Sequence, residues 1–110
     1  METKAEMLKR MRASNFKINN GRVLAAINIL RHHYAQLKDV RYALRDIDEC
    51  DFLDCINFLH EAKYIKLRTI DGRAPASIED TDYTEVEAKL SEKGIRLMGG
   101  ELGDAMIDHD

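Results

Sequence analysis

The stretch DFLDCINFLHEAKYIKLRTI, residues 51–70, changes its hydrophobic period part-way along and decides the fold. In its first part Phe52, Cys55, Ile56, Leu59 and Ala62 recur at helical spacing, and Leu53 and Phe58 widen the apolar stripe. A helix that apolar, taken over 51–65, must be largely buried. From Tyr64 to Ile70 the pattern switches to alternation, with Ile65 and Leu67 against Lys66 and Arg68, which is a strand signal. TEVEAKL (84–90) alternates again, with Val86, Ala88 and Leu90 on one face and Glu85, Glu87 and Lys89 on the other. The two strands are expected to pair as an antiparallel hairpin. Asp71-Gly72 suits a tight turn, but the polar RAPASIEDTD that follows makes 71–82 an exposed loop.

Upstream, TKAEMLKRMRA (3–13) is rich in helix formers, with Met7, Leu8 and Met11 on one side and Lys4, Lys9, Arg10 and Arg12 around the rest. SNFKINNG (14–21) reads as a break, with Asn20 as the N-cap of a new helix. That helix is carried by Val23, Ile27, Leu30, Tyr34 and Leu37. A short helix capped by Asp39 then places Val40, Leu44 and Ile47 inward. Downstream, Ser91 with Lys93-Gly94 opens a last helix containing Ile95, Leu97 and Met98, and Gly99-Gly100 stops it. The acidic tail ELGDAMIDHD (101–110) is expected to dock through Leu102, Met106 and Ile107.

The chain has 110 residues, 45% of them hydrophobic and 34% charged, with one proline and a net charge of −3. That excludes disordered and collagen-like classes, and also a strongly basic, whole-surface nucleic-acid binder. One domain over 1–110 follows from the length, since domains cluster around ~100–150 residues. No apolar run reaches the ~18–20 residues of a membrane span, and residues 1–20 lack the apolar core of a secretory signal. Cys50 and Cys55 make no disulfide framework and read as small hydrophobes of a cytoplasmic protein.

The order of elements resembles that of a winged helix-turn-helix domain. FLDCINFLHEAKYIKLRT is similar to the family's third helix running into its first wing strand, and EAKLSEKGIRLMGG to the second wing strand and the turn into a closing helix. The resemblance covers roughly residues 20–100. It implies an α+β, mostly helical fold: a three-helix core with a two-stranded wing, flanked by a basic helical arm (1–19) and an acidic tail (101–110). LSEKGIRLMGG (90–100) also resembles the closing segment of small winged-helix proteins carried by bacteriophages and prophages. Such folds serve as DNA readers, RNA readers and protein-interaction modules, so the resemblance speaks for fold before function.

Where such a domain reads DNA, the third helix enters the major groove and Lys and Arg hold the phosphates. Here charge is unevenly spread. Residues 1–45 carry ten basic side chains against three acidic, a net of +7, whereas residues 46–62 carry six acidic and no Lys or Arg. Residues 71–87 hold six carboxylates against Arg73 alone. Asp54, Asn57 and Glu61 share the polar face of the third helix; Asn57 can read adenine, but its neighbours repel a phosphate backbone. The cations left for phosphate contacts are Lys38, Arg41 and Arg45 before that helix, with Lys66, Arg68 and Arg73 at the base of the wing. The plainer reading has these as solvated positions paired with nearby carboxylates.

Two functions therefore stand side by side: a regulatory or DNA-associated protein on double-stranded DNA, and a winged-helix interaction module that offers its acidic helix and wing to a basic protein partner. Met7, Leu8 and Met11 are expected to pack on a second subunit, and the resemblance implies a homodimer too. No enzyme is expected, because the carboxylates form runs and neither a Gly-rich phosphate loop nor a nucleophile elbow occurs. No cofactor and no metal are expected either: His32 and His33 are adjacent and so diverge on a helix, while His60 and His109 stand apart. Cys50 and Cys55 do not have zinc-knuckle spacing.

Overall fold

A computed structural model describes residues 2–29 and 33–108. Leu30, His32 and His109, named above, and Arg31, one of the ten basic side chains of residues 1–45, lie outside them. The elements are helix α1 (Lys4–Asn28), strand β1 (Ala35–Gln36), helix α2 (Leu37–Ala43), helix α3 (Glu49–Glu61), strand β2 (Ile65–Thr69), a 3-10 turn (Tyr83–Glu85), strand β3 (Val86–Leu90) and helix α4 (Glu92–Met98). The three strands form one antiparallel sheet in the order β1-β3-β2. The helices and this sheet make an α+β fold around one apolar core.

The first departure from expectation is α1. The break at 14–21 does not occur, and Asn20 is a fully buried residue in mid-helix. The helix starts instead at Thr3, whose Oγ1 accepts from the Glu6 N–H at 3.1 Å. Asn20 is kept from acting as a cap because its Nδ2 donates to the Met106 carbonyl at 2.9 Å. Val23, Leu24 and Ile27 lose all exposure on the same helix. Burial of about 1.5–3 kcal/mol per such side chain outweighs the ~1 kcal/mol that a glycine costs a helix. The expected arm and first core helix are thus one continuous helix.

That helix also ends early, at Asn28, so Tyr34 and Leu37 do not belong to it. Ala35 and Gln36 pair with Ala88 and Glu87 as a third strand, and the expected two-stranded sheet has three. Leu37 opens α2, whose N-cap is Gln36; Asp39 sits in the first turn. Val40, Leu44 and Ile47 are buried as expected, though the last two lie beyond the helix end. In α3, Phe52, Cys55, Ile56 and Leu59 are completely buried. The helix stops at Glu61, and Lys63 takes a left-handed φ of 70° that turns the chain into β2. Cys50 is exposed, contrary to its reading as a core residue; Cys55 is buried, and burial pushes its thiol up to about 12.

β3 lies centrally and places Val86, Ala88 and Leu90 in the core. Glu87, read as solvent-facing, is only 9% exposed because it lies between Gln36 and Arg68 and is ion-paired to the latter. After β2 the chain reverses through Asp71-Gly72-Arg73, with Gly72 and Arg73 both left-handed. It then returns along β2: Thr69 N–H donates to the Ala74 carbonyl at 2.8 Å and Ala76 N–H to the Leu67 carbonyl at 3.1 Å. The segment read as a wholly exposed loop therefore begins as a second strand-like pass, and Ala76 and Ile78 pack against the core. α4 forms as expected, with Ser91 Oγ accepting from the Gly94 N–H.

Among the described residues of the tail only Ile107 is buried; Leu102 and Met106 stay 36% and 37% exposed. The tail is held by polar contacts instead. Tyr64 Oη donates to Asp104 Oδ2 at 2.5 Å, Met106 N–H donates to Asp104 Oδ1, and Asp108 N–H donates to the Lys17 carbonyl. The hydrogen bond from Tyr64 holds the Asp104 carboxyl below its usual range. Burial, then that same bond, pushes the Tyr64 phenol up to about 12. A carboxyl with a lowered folded pKa stabilises above its unfolded pKa and loses that contribution as pH falls through the folded value. A phenol with a raised pKa stabilises below 10 and loses its contribution as pH rises toward 12. The clip is therefore intact at neutral pH and released at both extremes. Tyr64→Phe should cost about 1.5 kcal/mol in urea unfolding at pH 7, the lower end for a bond to a charged group, and much less at pH 2.5.

Candidate nucleic-acid interface

β2 carries Ile65 and Leu67 into the core and Lys66 and Arg68 onto the other face of the sheet, as alternation requires. The two left-handed residues that bracket the strand, Lys63 and Arg73, bring their side chains to the same side. With Tyr34 from the segment before β1 and His60 from the last turn of α3, these cations line an open groove of about 490 Å³. Among the described residues, four Lys or Arg border it and no acidic residue lines it. For a chain with net charge −3 that is a pronounced local excess.

Arg68 is the ordered centre of the groove. Its Nε donates to Glu87 Oε1 at 2.6 Å, and its guanidinium carbon lies 3.5 Å from the Tyr34 ring centroid. Lys89 approaches the same ring at 6.0 Å. The ion pair and the ring fix the plane of the guanidinium, and its position in β2 fixes where that plane stands. Nearby, Lys93 Nζ donates to the Ala62 carbonyl at 2.9 Å and lies 4.6 Å from the Tyr64 ring, which neutralises the carbonyl end of α3.

Of the six basic residues singled out from sequence, the structure brings together Lys66, Arg68 and Arg73. Lys38, Arg41 and Arg45 sit on or just past α2 and do not line the groove. Arg45 is turned back on its own segment, donating to the Tyr42 carbonyl at 3.2 Å with its guanidinium 4.9 Å from the Tyr42 ring. Arg41 lies in the field of Tyr83, whose phenol is pushed up by burial and by its hydrogen bond to Glu49. Asn57 is half-buried on α3, with Asp54 and Glu61 exposed around it.

Much of the remaining charge is answered within the chain. Arg22 grips Asp46 through both terminal nitrogens at 2.7 and 2.9 Å, and that hydrogen bonding holds the Asp46 carboxyl below its usual range. Asp51 and Asp54 border a second groove of about 520 Å³ that runs between α3 and α1, opposite Arg12 and Asn19. Phe16 lines it and packs edge-to-face on Phe58, their centroids 5.4 Å apart. The chain matches no family model, no curated protein and no solved structure. Among the described residues no group of three or more His, Cys, Asp or Glu is placed to hold a metal ion, and no helix is long and apolar enough to cross a membrane.

Sequence reasoning missed Lys63, His60 and Tyr34. Lys63 was legible only as a polar residue at the helix–strand hinge, and Tyr34 was assigned to the first core helix. The apolar face of the arm, by contrast, is where it was expected. Met7, Leu8 and Met11 are 47%, 44% and 58% exposed, and Ile18 at 44% extends the row along the same helix. Residues 2–15 are exposed throughout, so the first three turns of α1 project beyond the body.

Proposed function

We propose that this chain is a winged-helix module, not an enzyme, that associates with nucleic acid through phosphate contacts at the base of its wing. The reading is supported above all by the groove in which Lys63, Lys66, Arg68 and Arg73 meet without a lining carboxylate. α3 is not the reading element. Its exposed face carries Asp54 and Glu61, and its flank faces α1 across Asp51 and Asp54. Contacts of this kind position a backbone and carry little sequence information. A DNA-associated or regulatory role with weak sequence preference fits that chemistry.

The test is a titration of labelled nucleic acid, followed by fluorescence anisotropy at rising salt. Three to four phosphate contacts predict that affinity falls by about a hundredfold between 50 and 200 mM salt. Absence of binding at low salt would leave the other role of such a fold, a protein-interaction module.

The projecting arm belongs to the same proposal as a self-association element. An isolated helix of about twelve residues is marginal in water, and Met7, Met11 and Ile18 repeat at the spacings of a helix-pairing seam. The protein is accordingly a homodimer. Met11→Glu combined with Ile18→Glu should convert it to a monomer in sedimentation, with the helical circular dichroism of the body retained.

A further inference from the structure

The wing-base groove is concave, and its inner surface is not what a phosphate rail alone would select. The Ile65 and Leu67 side chains turn into the core behind it, and what faces the groove beside the cations is Pro75 with the Tyr34 ring. Phosphates and sugars offer these groups nothing; a base face does. Arg68 points the same way. Its charge is partly neutralised by Glu87, itself only 9% exposed, and its guanidinium carbon lies over the Tyr34 ring, 3.5 Å from the centroid. An arginine so committed is a weak phosphate clamp and a pre-organised stacking plane, of the kind on which unstacked bases are laid. Lys63, Lys66 and Arg73 remain at the rim for the backbone on either side.

We infer that the groove takes a single-stranded segment of nucleic acid in preference to a duplex, with one base against the Tyr34–Arg68 pair and the flanking phosphates on Lys63, Lys66 and Arg73. This rests on the nucleic-acid reading above. A duplex keeps its bases stacked inside, so it can meet the rim cations but lays no base against the Tyr34–Arg68 pair. A single strand can splay a base into the groove.

The experiment compares a fluorescein-labelled oligothymidylate of about twelve nucleotides, within the usual site size of such grooves, with a duplex of equal length at low salt. The single strand should bind about tenfold more tightly, as one stacked base implies. Tyr34→Leu, which keeps bulk without the ring, should remove that advantage, bringing the affinities for the oligothymidylate and the duplex together; Tyr34→Phe should retain it. Circular dichroism verifies that each variant folds. Equal or tighter binding of the duplex, or wild-type binding of the oligothymidylate by Tyr34→Leu, overturns this inference and leaves the broader reading standing. If neither probe binds, the broader reading falls and this one with it.

Discussion

Gly94→Ala should destabilise the protein by about 3 kcal/mol or more, at the upper end of what overpacking costs. A Cβ built on Gly94 would lie 2.2 Å from the Tyr64 carbonyl oxygen and 3.1 Å from its carbon. That carbonyl is backbone, and it is already committed as the acceptor of the Ser91 N–H at 2.9 Å. It cannot swing aside without giving up the bond that joins the start of β2 to the end of β3, worth about 1 kcal/mol in itself. Moving α4 instead would draw fully buried Leu97 out of the core. Gly94 has an ordinary helical backbone, so its role is close approach and not a left-handed conformation. The matching control is Gly72→Ala, where nothing stands within 4 Å of the added carbon and the only cost is the left-handed φ of 83°. Urea unfolding of the two variants should separate them by at least a kilocalorie, with Gly94→Ala the weaker.

The same corner shows why part of the fold is legible in the sequence. Ser91, Lys93 and Gly94 announce a capped helix locally, and the structure uses Ser91 as the cap. The switch at Tyr64 from helical spacing to alternation is likewise a local signal, because burial on one side of the sheet needs period two. Two departures arise from partners distant in sequence. Asn20 looks like a cap until its amide is spent on the Met106 carbonyl, 86 residues away. Ala35 and Gln36 are too short to show any period and become a strand only because β3 has a free edge to offer. Burial of Glu87 has the same origin, since alternation gives its face but not the Arg68 opposite it.

The candidate site was legible by residue type and not by arrangement. Lys66 and Arg68 stand two apart on a strand and so share a face on sequence grounds alone. That Arg73 joins them depends on the tight reversal through Gly72, and that Lys63 joins them depends on its left-handed turn. Charge counting along the chain also overstated the basic front, because Arg22 is spent on Asp46, a carboxylate that the count places in the following window. An opposed carboxylate is invisible in a running sum.

Reversing the charge at Lys66 and Arg73 together should lower nucleic-acid affinity by about a hundredfold at low salt and flatten its salt dependence by roughly two contacts. Both side chains are exposed at the rim, and neither takes part in a hydrogen bond or ion pair among the described residues, so their loss leaves the fold intact. Lys66→Glu places a carboxylate on the face that holds Arg68, and Arg73→Glu does so at the turn after β2. Each change removes a phosphate partner and adds a repulsion, which is why the pair exceeds the effect of two alanines. Lys38→Glu with Arg45→Glu, equal in charge but outside the groove, is the comparison that isolates position from net charge. If binding depended only on the overall electrostatic field, the two double variants would weaken it alike. A contact surface at the proposed groove predicts instead that near 0.15 M salt, where the Debye length falls to about 8 Å, the α2 pair changes affinity by less than about threefold. The Arg68–Glu87 pair supplies the last discrimination. Arg68→Gln should release buried Glu87 as an uncompensated charge and destabilise the sheet, so a loss of binding there is read only beside its unfolding curve.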